Sequence, residues 1–317
     1  MEGVMDATMR DLITRHGGFD LCVTEFLRIV DELLPSKVFY RLCPELAHGA
    51  RTPSSTPVRL QLLGNNPEAM AANAARAVEL GSPGVDLNFG CPAKTVNRSR
   101  GGAILLTEPE TLYEIVSAVR TAVPAEFPVT AKMRLGFDDT DLALDNALAL
   151  QSGGAAEIVI HARTRKDGYK PPAYWPLIAP IVDQLDIPIV ANGEVWNASD
   201  YARCQQESGV RAVMIGRGAL AVPNLAQVLR DGVPPLPWAS VVAEVIALGE
   251  QDCTAGRERY MPSRIKQWLN YLQLGYPEAE ALFTRVRRIG KAPEMAAALR
   301  ESLACANTQN STKNSND

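Results

Sequence analysis

The chain has 317 residues, 46% of them hydrophobic and 21% charged, with a net charge of −4. This composition supports a large buried core and argues against global disorder; it draws no polyanion to the molecule as a whole, so a nucleic acid has to be held by local basic patches. The opening MEGVMDATMRDL carries charges where a secretory leader needs an apolar run, and no stretch reaches the roughly 18 apolar residues of a membrane span, so export and membrane insertion are set aside and a cytoplasmic protein is expected.

From the start to about residue 230, short apolar, β-branched runs alternate with amphipathic stretches. The segment after Met1 reads as a loop running into a helix; such a helix follows a strand, so a first strand is expected before Met1. Seven strand-like runs follow: LCVTEF (21–26), VRLQLL (58–63), GVDLNFG (84–90), VTAKMRLG (129–136), EIVIHAR (157–163), IPIVANGE (187–194) and AVMIGRG (212–218). Between them, 67–80 reads as a helix with Asn66 as cap and Pro67 at its first position. The stretch 107–123 opens with Thr107 and Glu110 at capping-box spacing. Alternating strands and helices mean parallel strands covered by helices. The expected fold is an α/β TIM (β/α)8 barrel over residues 1–232, its first strand missing at the N-terminus. An open doubly wound sheet is the rival, and the lack of an early G-x-G-x-x-G turn counts against it. VPPLPW (233–238) is a linker, and helical patterns near 238–255, 262–274, 277–289 and 293–303 predict a small all-α domain over 233–305. The polar end, 306–317, is expected to be disordered.

Each strand-like run turns polar near its C-terminal end. Side chains two apart share a face, which groups Asp86 with Asn88, Lys132 with Arg134, His161 with Arg163, and Asn192 with Glu194; Gln61 lies late in its run. Burying so many polar groups is costly unless they bind each other or a ligand. In a barrel these ends meet on one face, where active sites sit. Glycines in ANGE (191–194) and IGRGAL (215–220) suit a phosphate, though strands also end in ordinary glycines. In GCPAKTV (90–96), Gly90 and Pro92 shape a turn that carries Cys91. A thiol there serves as acid or nucleophile, or is a buried structural cysteine. Lys132 holds a ligand's negative charge or pairs with Asp86, and His161 alone reads equally as a core histidine. The six cysteines lack C-x-x-C spacing, so neither a metal site nor a disulfide framework is expected. Cys22 and Cys204 are expected in the core. Between 257 and 291, eight basic residues (Arg257, Arg259, Arg264, Lys266, Arg285, Arg287, Arg288, Lys291) outnumber Glu258, Glu278 and Glu280 by five charges. This is an RNA footprint or a solvated helix face.

Together these motifs resemble the tRNA-dihydrouridine synthase family. The resemblance rests on MEGVMD (1–6), TEF (24–26), RLQLLG (59–64), DLNFGCPAKTV (86–96), AKMRLG (131–136), IHARTR (160–165), ANGEV (191–195) and MIGRGAL (214–220), and spans nearly all the chain but its tail. The DLNFGCPAKTV block is the most specific part. TEFLRIVDELLPSKVFYRLCPEL (24–46) and RIKQWLNYL (264–272) look like the branch that acts on uridine 16 of the D-loop. The resemblance implies a barrel with a C-terminal helical domain, noncovalent FMN, NADPH as reductant and tRNA as partner; the polar tail and mixed surface suggest a monomer. It implies that Cys91 protonates uracil C5. It further implies flavin contacts from Met1, Glu2, Gln61, Lys132 and His161. Asn192, Gly193, Glu194, Gly216 and Arg217 match the flavin-phosphate loops, and Asn88, Lys94 and Arg134 match residues near the flipped uridine. Arg28, Arg264, Lys266 and Arg285 are the candidate tRNA contacts. The family carries a strand before MEGV, which makes a truncated or late-started chain an expectation here. Two competing readings are a flavin barrel acting on a free pyrimidine and a noncatalytic tRNA-binding protein. The basic helical domain counts against the first, and the retained Cys91 and Lys132 against the second.

Overall fold

The computed structural model describes residues 3–313, with side chains through Thr308, so Met1 and Glu2 lie outside the described residues. Seven strands form one all-parallel sheet: β1 (Cys22–Arg28), β2 (Val58–Leu63), β3 (Val85–Asn88), β4 (Val129–Gly136), β5 (Ile158–Thr164), β6 (Ile189–Asn192) and β7 (Ala212–Met214). They pair strictly in chain order, β1-β2-β3-β4-β5-β6-β7. All seven match the runs read from sequence. The sheet is curled and flanked by helices in the manner of a TIM barrel. Helices cover its outer face, and the central strands β2 to β5 are enclosed on both faces: Leu60, Leu62, Val85, Leu87, Ala131, Met133, Ile158 and Ile160 are fully buried.

Local signals set the helix ends. Asn66 caps Pro67–Glu79 by accepting from the Ala69 N–H at 3.0 Å. Asn197 does the same for Ala198–Ser208, accepting from Asp200 N–H at 2.9 Å, and Gly209 closes that helix in the left-handed region. The expected capping box at Thr107 does not form. The helix starts later, at Pro109, and the Thr107 hydroxyl donates to the Ile104 carbonyl of the preceding 3₁₀ turn at 2.7 Å. Proline at the first helical position sets the start there.

The chain divides into two compact units, one of residues 1–7 and 19–216, the other of residues 8–18 and 217–317. This differs from a boundary at the proline-rich stretch. The helices Arg217–Ala221 and Leu225–Asp231 belong with the C-terminal helices because Trp268, buried to 1% exposure, donates from its indole nitrogen to the Leu220 carbonyl at 3.1 Å. Residues 8–18 join the same unit, and a Cβ on Gly18 would fall 2.6 Å from the Ala226 backbone. The helical unit contains Trp238–Thr254, Met261–Leu272, Pro277–Val286 and Ala292–Lys313. The last helix continues through 306–313, where a disordered tail was expected. The alanine- and leucine-rich turns before it propagate the backbone ladder into the polar segment, and the Thr308 hydroxyl returns to the Ala304 carbonyl at 3.0 Å. Among the described residues, no helix is long and apolar enough to cross a membrane.

Candidate active site

The strand register brings the polar strand ends together. Gln61 lies beside Asp86, Asn88 beside Lys132, Arg134 beside His161, and His161 beside Asn192. Asp86 is 1% exposed, and its carboxylate accepts from Gln61 Nε2 at 2.7 Å and from the Thr130 hydroxyl at 2.6 Å. Gln61 Oε1 in turn accepts from Asn88 Nδ2 at 2.7 Å. Lys132 therefore does not pair with Asp86. Its Nζ donates to Asn192 Oδ1 at 2.9 Å, and Asn192 Nδ2 donates to the Met214 carbonyl at 2.8 Å. Burial pushes the Lys132 ammonium down to about 8, reinforced by the nearby Arg134 guanidinium and opposed by Asp86.

The thiol loop is tied on both sides of Cys91. The Gly90 N–H donates to Asn88 Oδ1 at 2.9 Å, and the Gly90 carbonyl accepts from Arg134 Nε at 2.8 Å. The Cys91 carbonyl accepts from Asn97 Nδ2 at 3.0 Å and from the Ala103 N–H at 3.1 Å. Gly102, at φ 68°, lies so close that a Cβ would sit 2.8 Å from that carbonyl. Cys91 itself is 8% exposed and packs with Leu63, Val96, Phe26 and Ala93. None of the six cysteines forms a disulfide. Cys204 is in the core, whereas Cys22 is only partly buried.

Arg134 was expected to face a substrate, but it is 1% exposed and binds backbone: besides Gly90, its Nη1 donates to the carbonyls of Thr164 at 3.0 Å and Gly168 at 2.9 Å. Tyr169, which sequence reading did not single out, lies over this guanidinium at 5.2 Å and 6.0 Å from the His161 ring while remaining 53% exposed. The signal was a tyrosine following a Lys-Asp-Gly turn just after a polar-ended strand. Fully buried Arg163 pairs with Glu194 at 2.7 Å and approaches His161 Nε2 at 3.4 Å. Gly193 has φ 117°, a Cβ there would meet His161 at 2.9 Å, and Glu194 keeps a left-handed φ of 56°. A side chain at 193 would fill this cradle, and successive amides in such a turn suit an anion. Gly216 ends the first unit and Arg217 opens the helix Arg217–Ala221.

The other candidates are spread more widely. Lys94 is exposed at the start of the helix Lys94–Arg98, which follows the thiol turn. Arg28, at the end of β1, donates to the Ser99 hydroxyl at 2.5 Å just beyond that helix. In the helical unit, buried Asp252 takes Arg264, together with Arg257 at 2.9 Å, and Arg285 pairs with Glu301. Lys266 donates to the Ile289 carbonyl at 3.1 Å. The acidic partners Asp252 and Glu301 lie outside the window in which charges were counted, so the local excess is smaller than it reads from sequence. Arg287 and Arg288 stand exposed.

A TIM-like parallel sheet whose strands gather a lysine, buried amides, a fixed thiol and a glycine turn on one face has the layout of a barrel enzyme's active site. The chain belongs to the dihydrouridine synthase family, whose model matches residues 1–301. Similar proteins include the tRNA-dihydrouridine(16) synthase of Shewanella oneidensis, 54% identical over 90% of this chain and 91% of that protein. The protein of the same name from Escherichia coli K12 is 50% identical over 94% of this chain and 95% of its own length. Among solved structures, a 2-naphthoyl-CoA reductase complex superposes with a TM-score of 0.55 at 13% identity, covering 73% of this chain and 47% of that one. Histamine dehydrogenase from Rhizobium sp. 4-9 gives 0.53 at 14% identity, covering 73% and 44%. The chain thus spans about half the length of these two structures, and the likeness is one of fold.

Proposed function

We propose that this protein reduces the C5=C6 bond of a uridine in the tRNA D-loop, at position 16, with FMN as cofactor and NADPH as reductant. The observation that carries the reading is that hydrogen bonds run from Gln61 through Asn88 to the Gly90 peptide just before Cys91, with Lys132 beside Asn88 in the strand register. The residues fit a flavin on chemical grounds: a cation and amide donors suit an acceptor-rich ring, and the Gly193 cradle suits a phosphate. Gln61, Lys132 and His161 would hold the ring, while Asn192, Gly193, Glu194, Gly216 and Arg217 would hold the phosphate end; Met1 and Glu2 remain candidates for the same cofactor.

When bound, the flavin supplies the hydride that goes to uracil C6. Cys91 holds the proton for C5 as a neutral thiol, which its apolar neighbours Leu63 and Val96 favour. Lys132 stabilises negative charge in a low-dielectric site. Asn88 and Lys94 hold the extruded base, and Arg134 fixes the carbonyl before Cys91. The base must leave its stack to reach this depth, which a loop allows at lower cost than a helix. Arg28 and Lys266 carry tRNA phosphates, with the helical domain over 233–305 as the docking element. The exposed Arg287 and Arg288 join them, whereas Arg264 is held by Asp252 and Arg285 by Glu301. The protein works as a cytoplasmic monomer.

The test is mass spectrometry of D-loop fragments from a deletion strain complemented with the gene or with Cys91→Ala. Dihydrouridine at position 16, present with the first and absent with the second, supports reaction, substrate and acid together. Product at another position keeps the chemistry and overturns the choice of uridine. No product from either refutes the reading.

A further inference from the structure

Asp86 is buried and is a pure hydrogen-bond acceptor when ionised. Donors reach it from both directions. On one side Arg59 Nη1 donates to the Thr130 hydroxyl at 3.2 Å, which commits the hydroxyl proton to Asp86 Oδ1 at 2.6 Å. On the other side Gln61 Nε2 donates to Oδ2 at 2.7 Å, so Gln61 must present its oxygen to Asn88. Asn88 Nδ2 donates to that oxygen at 2.7 Å, so Asn88 must turn its own oxygen to the Gly90 N–H at 2.9 Å. The carboxylate at one end and the fixed Gly90 N–H at the other therefore agree on the direction of every bond from β2 to the peptide before Cys91.

From this geometry we infer that Asp86 is a positioning residue: it locks the carboxamides of Gln61 and Asn88 in a single orientation, so that both offer N–H donors to the acceptor-rich rings of the flavin and the uracil. The inference rests on the functional reading above. Each carboxamide has two N–H groups, and the bonds described use one of each, leaving one donor per residue for a ring carbonyl or ring nitrogen. A neutral carboxamide at position 86 has both a donor and an acceptor, so it no longer dictates the orientation of Gln61, which is then opposed to reversal only through Asn88 and the Gly90 N–H. The reversed orientation presents a carbonyl to a carbonyl, which loses the bond and leaves a buried acceptor unpaired.

The experiment compares wild type, Asp86→Asn and Thr130→Val. Thr130→Val removes one bond to Asp86 yet leaves a carboxylate facing Gln61, so it controls for damage to the network. Three quantities are read: the unfolding midpoint, the dissociation constant for FMN from fluorescence, and the rate at which tRNA reoxidises the prereduced holoenzyme. Asp86→Asn is expected to weaken FMN binding and to slow reoxidation, each by about tenfold or more. Thr130→Val is expected to lower the midpoint while leaving both within about threefold of wild type. If the two variants lose FMN affinity and reoxidation rate in proportion to their loss of midpoint, Asp86 is merely structural and the inference is overturned. Asp86→Asn protein with wild-type FMN affinity and reoxidation overturns it as well. Wild-type protein that binds no FMN, or is not reoxidised by tRNA, overturns the functional reading and this inference with it. Should Asp86→Asn not fold, scalar coupling across the hydrogen bond from Gln61 Nε2 to the Asp86 carboxyl carbon, measured in labelled wild type, decides the direction: its presence supports the lock and its absence refutes it.

Discussion

Lys132 carries a stability cost that the fold tolerates for its charge, and Lys132→Met should expose that cost. Burial lowers this ammonium from 10.5 to about 8, a difference that corresponds to about 3 kcal/mol against the folded state wherever the side chain is charged in both states. Methionine removes the cost but leaves Asn192 Oδ1 without its donor, a loss of about 1–2 kcal/mol. The flavin-free variant should therefore be more stable than wild type by about 1–2 kcal/mol at pH 7. A lysine with a depressed folded pKa binds fewer protons folded than unfolded between pH 8 and 10.5. Wild-type stability thus gains relative to the variant as pH rises through that window, and the two curves should cross at about pH 9 to 10. Urea denaturation of both proteins at several pH values from 7 to 10.5 reads the difference directly, because all other titrating groups cancel. A variant less stable than wild type at pH 7, or a gap independent of pH, would refute this account. The same variant should reduce uridine at least about a hundredfold more slowly, since it lacks the charge opposite the ring.

Three further outcomes follow from particular contacts. Arg134→Met frees the Gly90 carbonyl, so alkylation of Cys91, followed by peptide mass spectrometry, should accelerate by about tenfold or more for each 1.4 kcal/mol lost from loop closure. Gly193→Ala forces a Cβ to 2.9 Å from His161 at a φ of 117°; it should cost about 1–3 kcal/mol in thermal unfolding and weaken FMN binding. In salt titrations of tRNA binding, Arg287→Ala with Arg288→Ala should reduce the slope of log affinity against log salt by about 1 to 2. Arg285→Ala should leave that slope unchanged, because Glu301 already neutralises the side chain.

The strands were legible because parallel strands enclosed by helices read as continuous β-branched runs, and polar residues that interrupt them meet in register, Asn88 beside Lys132 and His161 beside Asn192. What pairs with what inside that layer was not legible. Lys132 and Asp86 are both buried and of opposite sign, yet Thr130 and Gln61 satisfy the carboxylate first. The family resemblance placed Arg134 near the substrate, and only the path of the loops after β3 and β5 shows that it serves three backbone carbonyls. Charge counting along the helical region missed Asp252 and Glu301 because ion pairs between helices join residues far apart in sequence. The capping box at Thr107 failed because a 3₁₀ turn, which no local pattern announced, already held that hydroxyl.

The helical unit is assembled from both ends of the chain. Thr8 accepts from Arg257 at 3.2 Å, Arg15 pairs with Glu244 at 3.3 Å, and Gly18 abuts Ala226. During synthesis the strands can pair in the order in which they emerge from the ribosome, each with the one made just before it. Residues 8–18 are made before these strands and yet belong to a unit that is completed only past residue 217. An apolar helix bearing Met9, Leu12 and Ile13 thus waits, uncovered, through most of translation. This segment stays open to chaperones and proteases until the final helices, acting as a latch, end its exposure.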